Sequence, residues 1–362
     1  MTTVLKTKRS VDLTMNAGPP GLLVCPGCRT ALAWENALTC PRCGQTYLSD
    51  GVPCFNDRGA YFDSLPPRPA MATVMELSRT NGYRHALTQY LGKQFPRLVA
   101  RTPLAPPQRA EGLRLLGPFE GTRVLDFGCA LGVLSVPLAK QAELVVALDA
   151  THEALEFLAL VRSQDGLASL VPVCNGDPLR LPFPDDHFDC VVLNAVFEYL
   201  PEAIDEPSVW LAHRLALEET RRVLKPGGRI YLATKNRFSH QNLLGAQDHN
   251  GLRFTALLPR RLANALSVWK GKGPYRTVTY SFREYRRLLR AAGFRSAEFY
   301  WPFPDLWAPK HFVPLTGPRA GMLSELKAIE WPNRGKKVFW MAAALCGVLP
   351  ALVPTYIILA EK

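Results

Sequence analysis

The chain has 362 residues, 48% of them hydrophobic and 20% charged, with nine cysteines and a formal charge of +12. This length and apolar content allow one large core plus a small module, and they exclude a disordered chain or a short disulfide scaffold. The positive balance favours an anionic partner over a basic one.

In chain order, residues 1–20 are polar, carry Lys6, Lys8 and Arg9, and are expected to form a disordered tail. Two C-x-x-C knuckles follow, Cys25-Pro26-Gly27-Cys28 and Cys40-Pro41-Arg42-Cys43, eleven residues apart. Four thiolates at this spacing suit tetrahedral zinc, and a site closed by four protein ligands is structural rather than catalytic. So short a module cannot build an adequate core, and metal binding would add about 10–16 kcal/mol to its folding. The other reading is a pair of disulfides. The lack of a secretory signal argues against it, as do five further cysteines outside the two knuckles, an odd number, Cys54, Cys129, Cys174, Cys190 and Cys346. A reducing, cytoplasmic compartment is therefore expected. Residues 56–110 hold seven prolines around a helical stretch near 71–92.

From Arg123 the pattern changes. Arg123-Val124-Leu125-Asp126-Phe127 reads as a parallel strand buried on both faces, running into the turn Gly128-Cys129-Ala130-Leu131-Gly132. This spacing departs from G-x-G-x-x-G and argues against a plain dinucleotide site. Residues 144–148 form a second apolar strand with Asp149 at its end, where a doubly wound fold places a carboxylate on ribose hydroxyls. Strands at 171–174 and 188–193 come next, then LKPGG at 224–228 as a helix-stop turn and a strand at 229–234. The alternation predicts an α/β, Rossmann-like doubly wound sheet beside a small N-terminal zinc module. Taken singly, Gly128 and Gly132 could merely close a strand–helix turn, and Asp149 could merely cap the next helix.

With these motifs in order, residues 111–362 resemble a class I S-adenosylmethionine (SAM)-dependent methyltransferase. VLDFGCALG is similar to the family's motif I, Asp149 to the acid after its second strand, GDPLRLPFPDDHFDCVVLNAVFEYL to its next block and LKPGGRIYLAT to its post-catalytic strand. The resemblance implies SAM as cofactor. Asp126, Gly128, Cys129, Ala130 and Gly132 would frame the methionine end, Asp149 and Ala150 the ribose, and Asp177 with Pro178 the adenine, with Asn194 completing the set. Ala130 stands where the family usually has glycine, which implies a tighter turn rather than lost binding. In this family, helices such as that near 71–92 often form a lid; a linker is the alternative. Residues 21–55 resemble a zinc ribbon of the Trm112 type, including its trailing tyrosine and GVP.

The C-terminus and the charge distribution bear on the acceptor. Residues 338–360 carry no charge and follow Arg334, Lys336 and Lys337. That fits a membrane span, but Pro350 and Pro354 break the segment and TYIILAEK resembles the last strand of the methyltransferase sheet, so a helix and a final buried strand are expected, with peripheral membrane contact as a further possibility. Residues 251–297 contain eleven Lys/Arg against the single acid Glu284, a basic face suited to phosphate, RNA or lipid headgroups. Candidate catalytic groups follow the fourth and fifth strands: Glu198, His240, Asp248 and His249, with His249 the preferred base and a structural histidine the alternative. NRFSHQNLLGAQDHNG and FYWPFPDLWAPK resemble segments of methyltransferases associated with cell-surface glycan and lipid-linked sugar pathways. The expectation is methyl transfer, at oxygen, to a small or lipid-linked glycan or metabolite. A ribosomal or transfer RNA methyltransferase that grips RNA with the ribbon and basic face is the runner-up. The acceptor region is set at about 236–320.

Overall fold

The computed structural model describes residues 19–32, 38–49, 51–56, 61–62 and 65–362; the tail expected at 1–20 falls almost wholly outside these residues. Eleven strands are described: β1 (Leu38–Thr39), β2 (Thr46–Ser49), β3 (Pro53–Cys54), β4 (Arg123–Phe127), β5 (Leu144–Asp149), β6 (Leu170–Cys174), β7 (Phe188–Asn194), β8 (Leu224–Lys235), β9 (Ala297–Phe303), β10 (His311–Pro314) and β11 (Thr355–Glu361). They join in the order β1-β2-β3-β6-β5-β4-β7-β8-β11-β9-β10.

The centre, β6-β5-β4-β7-β8, is parallel. Successive side chains of a strand point to opposite faces. Leu125, Val146 and Val191 accordingly enter one core layer, and Val124, Val145 and Val192 the other. Burial on both sides is why these strands read as unbroken apolar runs. The chain enters at β4, moves outward to β6, then crosses back to β7, so a switch point opens between β4 and β7 beyond their carboxyl ends.

The C-terminal apolar stretch divides as its prolines demand. Arg334–Leu345 and Leu349–Leu352 are helices, and β11 lies antiparallel between β8 and β9 with Ile358 opposite both Leu232 and Phe299. Among the described residues no helix is long and apolar enough to cross a membrane. LKPGG does not turn: the Val209–Val223 helix passes directly into β8, and these residues form its irregular first half, with a register shift opposite Phe188 and Cys190. Gly227 has φ +76°, and a Cβ on Gly228 would lie 2.9 Å from the Lys225 carbonyl, so the glycines permit a bulge within the strand. Within 236–320, the Phe282–Ala291 helix packs on the Val209–Val223 helix and β9 pairs with β11, so the segment's second half belongs to the main sheet.

Two attachments precede β4. β3 pairs parallel to β6, with Cys54 opposite Cys174, and so joins the cysteine module to the sheet edge. The Arg68–Asn81 helix buries Met71, Val74 and Met75. It is fastened to the His152–Asp165 helix, where Tyr83 Oη donates to Asp165 (2.7 Å) and Gln164 Nε2 donates to the Ser78 carbonyl (2.7 Å).

Candidate active site and cysteine cluster

At the switch point the backbone turns sharply after Phe127. The Gly128 and Cys129 amides donate to the Leu148 carbonyl at 2.7 and 3.0 Å, tying the turn to the end of β5. Gly128 has φ +79°, and a Cβ there would lie 2.4 Å from Val196; Gly132 has φ +81°, and a Cβ would lie 2.2 Å from Leu158. Both positions thus need glycine for conformation and for close approach. Ala130 sits between them at φ +47°, a left-handed conformation that costs an alanine roughly 1–2 kcal/mol. Its amide donates to Asp149 Oδ2 (2.9 Å), while Asp149 Oδ1 accepts from the Thr151 amide (2.9 Å). The carboxylate is therefore fixed in orientation, with the residue partly exposed at the crevice. Burial raises its pKa.

Asp126 is fully buried beneath the turn, where Ser135 donates to it at 2.5 Å. Burial first, and the neighbouring Asp149 second, push its carboxyl up to about 7. Gly128, Ala130, Asp149, Ala150, Asp177 and Asn194 are each partly exposed at or just past the ends of buried strands, so they outline a crevice over the strand ends. Cys129 and Pro178 are buried behind it. Asp177 makes its own turn, accepting from the Leu179 amide (2.9 Å). A residue absent from the sequence argument also reaches this wall: Asn56, just past β3, donates to the Ala150 carbonyl (3.5 Å) and accepts from the Cys174 thiol (3.1 Å). Only its position after a short strand could have drawn attention to it.

Beyond β7 and β8 stand the candidate catalytic groups. His249 Nδ1 pairs with the Tyr199 hydroxyl (2.7 Å), while its Nε2 is sealed from solvent and has no partner among the described residues. Burial, then Lys235, lowers its pKa, against the opposing pull of Glu198 and Asp248; the ring is neutral near pH 7. Glu198 is buried and accepts from the Thr234 hydroxyl (2.7 Å) and the Lys235 amide (3.1 Å); its second oxygen has no partner among the described residues. Asp248 does not orient His249. It accepts from the Tyr275 hydroxyl (2.9 Å) and from the Asn250 and Leu252 amides (2.9 and 3.0 Å), holding the loop that carries the histidine. His240 Nδ1 meets the Leu352 carbonyl (3.1 Å) and its ring packs edge-on against Trp340. Tyr199, present in NAVFEYL but not singled out there, is the missed partner. The basic stretch is also divided: Arg260 donates to the Thr279 carbonyl and Arg276 to those of Pro201, Ile204 and Glu206, so these two turn inward.

The four cysteine sulfurs of Cys25, Cys28, Cys40 and Cys43 lie within 4.8 Å of one another, with Cys25–Cys43 at 3.7 Å and Cys28–Cys40 at 3.4 Å. A tetrahedron of thiolates about 2.3 Å from one ion has edges near 3.8 Å, so the group can hold a metal. The Thr30 hydroxyl, then its amide, draw the Cys28 thiol down to about 6, toward the ligating thiolate. The cluster borders a cleft of about 290 Å³ that also contacts Tyr47, Phe55, Asn175 and Asp177.

Residues 125–232 match the family model described as a methyltransferase domain. The chain carries a class I SAM-dependent methyltransferase domain. An uncharacterized protein of Mycobacterium tuberculosis is 34% identical over 115 residues, 32% of this chain and 37% of that protein. The ubiquinone biosynthesis O-methyltransferase of Cereibacter sphaeroides is 33% identical over 120 residues, 33% of this chain and 44% of that enzyme. The chain thus spans less than half the length of these curated relatives. Among solved structures, phosphoethanolamine N-methyltransferase 2 of Haemonchus contortus is 15% identical with a TM-score of 0.44, covering 79% of this chain and 59% of that one. Within the matched residues the glycine turn, Asp126 and Asp149 stand at the switch point of the sheet, beside the partly exposed Ala150, Asp177 and Asn194.

Proposed function

We propose that the protein transfers the methyl group of SAM to an oxygen of a small or lipid-linked acceptor, with His249 as general base. One observation carries this reading: a neutral imidazole with one nitrogen held by Tyr199 and the other buried without a partner among the described residues, on the loops beyond the strand ends. When bound, SAM supplies an electrophilic methyl on a sulfonium. Asp149 would receive the ribose hydroxyls, Asp126 and the 128–132 turn the amino-acid end, and Asp177 with Pro178 the adenine. With Nδ1–H donated to Tyr199, Nε2 carries the lone pair that takes the acceptor's hydroxyl proton, and a base here contributes about 10²–10⁴-fold. The matching of a relative named as an O-methyltransferase supports oxygen over nitrogen. Zinc is the metal that suits a closed set of four thiolates, and its role at Cys25, Cys28, Cys40 and Cys43 would be structural.

The deciding experiment incubates the protein with methyl-labelled SAM and a host extract separated into lipid, glycan, small-molecule and RNA pools. Label in the lipid, glycan or small-molecule pool, lost at least a hundredfold in His249→Ala and partly kept in Tyr199→Phe, supports the assignment. Label in RNA alone overturns it.

A further inference from the structure

Two helices present apolar residues to solvent where a helix packed on a core ordinarily presents polar ones. In Arg260–Trp269, Ala263 and Ser267 are buried, whereas Leu262, Ala265 and Trp269, spaced i, i+3 and i+7, line the outer side; Trp269 is 76% exposed. In Arg334–Leu345, Trp340, Ala343 and Ala344 are buried, and Val338, Ala342 and Leu345 line the outer side, with Val338 66% exposed. The turn after the His240–Leu243 helix lies between them. Its Leu244 is 82% exposed. On one side the His240 ring packs against Trp340; on the other, Gly245 meets Phe254, which is exposed and leads into the Arg260–Trp269 helix. The three elements therefore adjoin, and their exposed apolar side chains form one rim.

Cations flank this rim. Arg261, Lys270 and Lys272 are exposed beside the first helix, and Arg334, Lys336 and Lys337 begin the second. Residues 237–281 contain one acid, Asp248, which is hydrogen-bonded inward, and residues 331–360 contain none. A second copy of the chain would bring these cation clusters against their own kind, which disfavours a symmetric dimer. RNA would use the cations and leave the apolar stripes uncovered. An anionic bilayer answers both features, since tryptophan and leucine settle at the headgroup boundary while lysine and arginine meet lipid phosphates.

We propose that this rim docks the protein on an anionic phospholipid membrane. His249 is carried by the same 240–258 segment, so docking would bring the acceptor crevice to the membrane surface; that consequence, unlike the docking itself, rests on the reading of a lipid-linked acceptor.

The test is co-sedimentation of the full chain, without SAM or acceptor, with vesicles of phosphatidylcholine alone or mixed with phosphatidylglycerol. Binding to the mixed vesicles, at least tenfold weaker on the neutral ones, is expected. Lys336→Glu with Lys337→Glu should weaken binding to mixed vesicles by about tenfold or more. Leu244→Ser with Trp269→Ser should weaken it on both compositions. Unchanged SAM affinity in each variant shows that the fold is retained. No vesicle binding overturns the proposal, as does binding unaffected by both double variants. A dimer in solution that the apolar double variant dissociates, or RNA binding that only the charge variant abolishes, would also overturn it when vesicles do not bind. No turnover enters the measurement, so a wrong acceptor assignment would leave its outcome readable.

Discussion

At Ala130 the protein accepts a backbone angle that glycine would adopt freely. The position is fixed from both sides, because its amide must reach Asp149 and the glycines at 128 and 132 are confined by Val196 and Leu158. Relief of the left-handed strain predicts that Ala130→Gly stabilises the native state by about 1 kcal/mol, offset in part by the greater freedom of glycine in the unfolded chain. Thermal unfolding checks the sign, and unchanged SAM affinity by calorimetry shows that the turn keeps its shape. Asp149→Ala has the opposite consequence. Removing a carboxylate that organises two amides and stands at the crevice is expected to weaken SAM binding by roughly ten- to hundredfold, at about 1.5–3 kcal/mol for a charged hydrogen-bonding partner. These residues were legible in the sequence because their type and spacing are dictated by the turn itself. Tyr199 was not, since its value lies in meeting His249 fifty residues away in the chain.

Individual strands show the same division between local and distant causes. β4 to β7 could be read within a residue or two, because burial on both faces forces unbroken apolar runs. A final buried strand was expected at the C-terminus but its place between β8 and β9 was not, and the LKPGG bulge was missed because glycine and proline signal a turn wherever strand pairing does not override them. The small strand β3 has a consequence for the cofactor. It links the cysteine cluster to the crevice wall through Tyr47, whose hydroxyl meets the Cys25 sulfur (3.1 Å) and whose ring lies 4.8 Å from that of Phe55, the neighbour of Asn56. Metal removal by a strong chelator should therefore loosen β3, free Asn56 from Ala150 and lower SAM affinity by about fivefold or more, the loss of roughly one hydrogen bond's worth. Calorimetric SAM titration of metal-loaded and stripped protein checks this, with recovery on adding zinc. Equal affinities would mean that the module is attached to the sheet without supporting the cofactor wall.

For the whole molecule, the buried titratable groups set opposing dependences on pH. His213 is sealed between the Phe197 carbonyl (2.9 Å) and the Tyr280 hydroxyl (2.9 Å), and burial drives its pKa down to about 3. Burial lowers His187 and His249 as well. In the unfolded chain a histidine titrates near about 6.5, so below that pH the unfolded state gains protons that these three refuse, and stability is lost as the pH falls. Asp126 acts in the reverse sense. Its folded pKa of about 7 lies above the ordinary carboxylate value, so its contribution is complete at low pH and is lost as the pH rises through about 7. Between about pH 4 and 6.5 the two effects overlap, with Asp126 flattening the rise that the histidines impose. Asp126→Asn removes the Asp126 share of the opposing titration and leaves that of Asp149, whose pKa burial also raises. The variant's stability should then climb more steeply with pH than that of the wild type, by up to one proton's worth, about 1.4 kcal/mol per pH unit. Urea unfolding at several pH values over that interval, without SAM, measures the two slopes directly. Parallel slopes would mean that Asp126 is ionised beneath the glycine turn, with Ser135 and the crevice solvent sufficing to hold its charge.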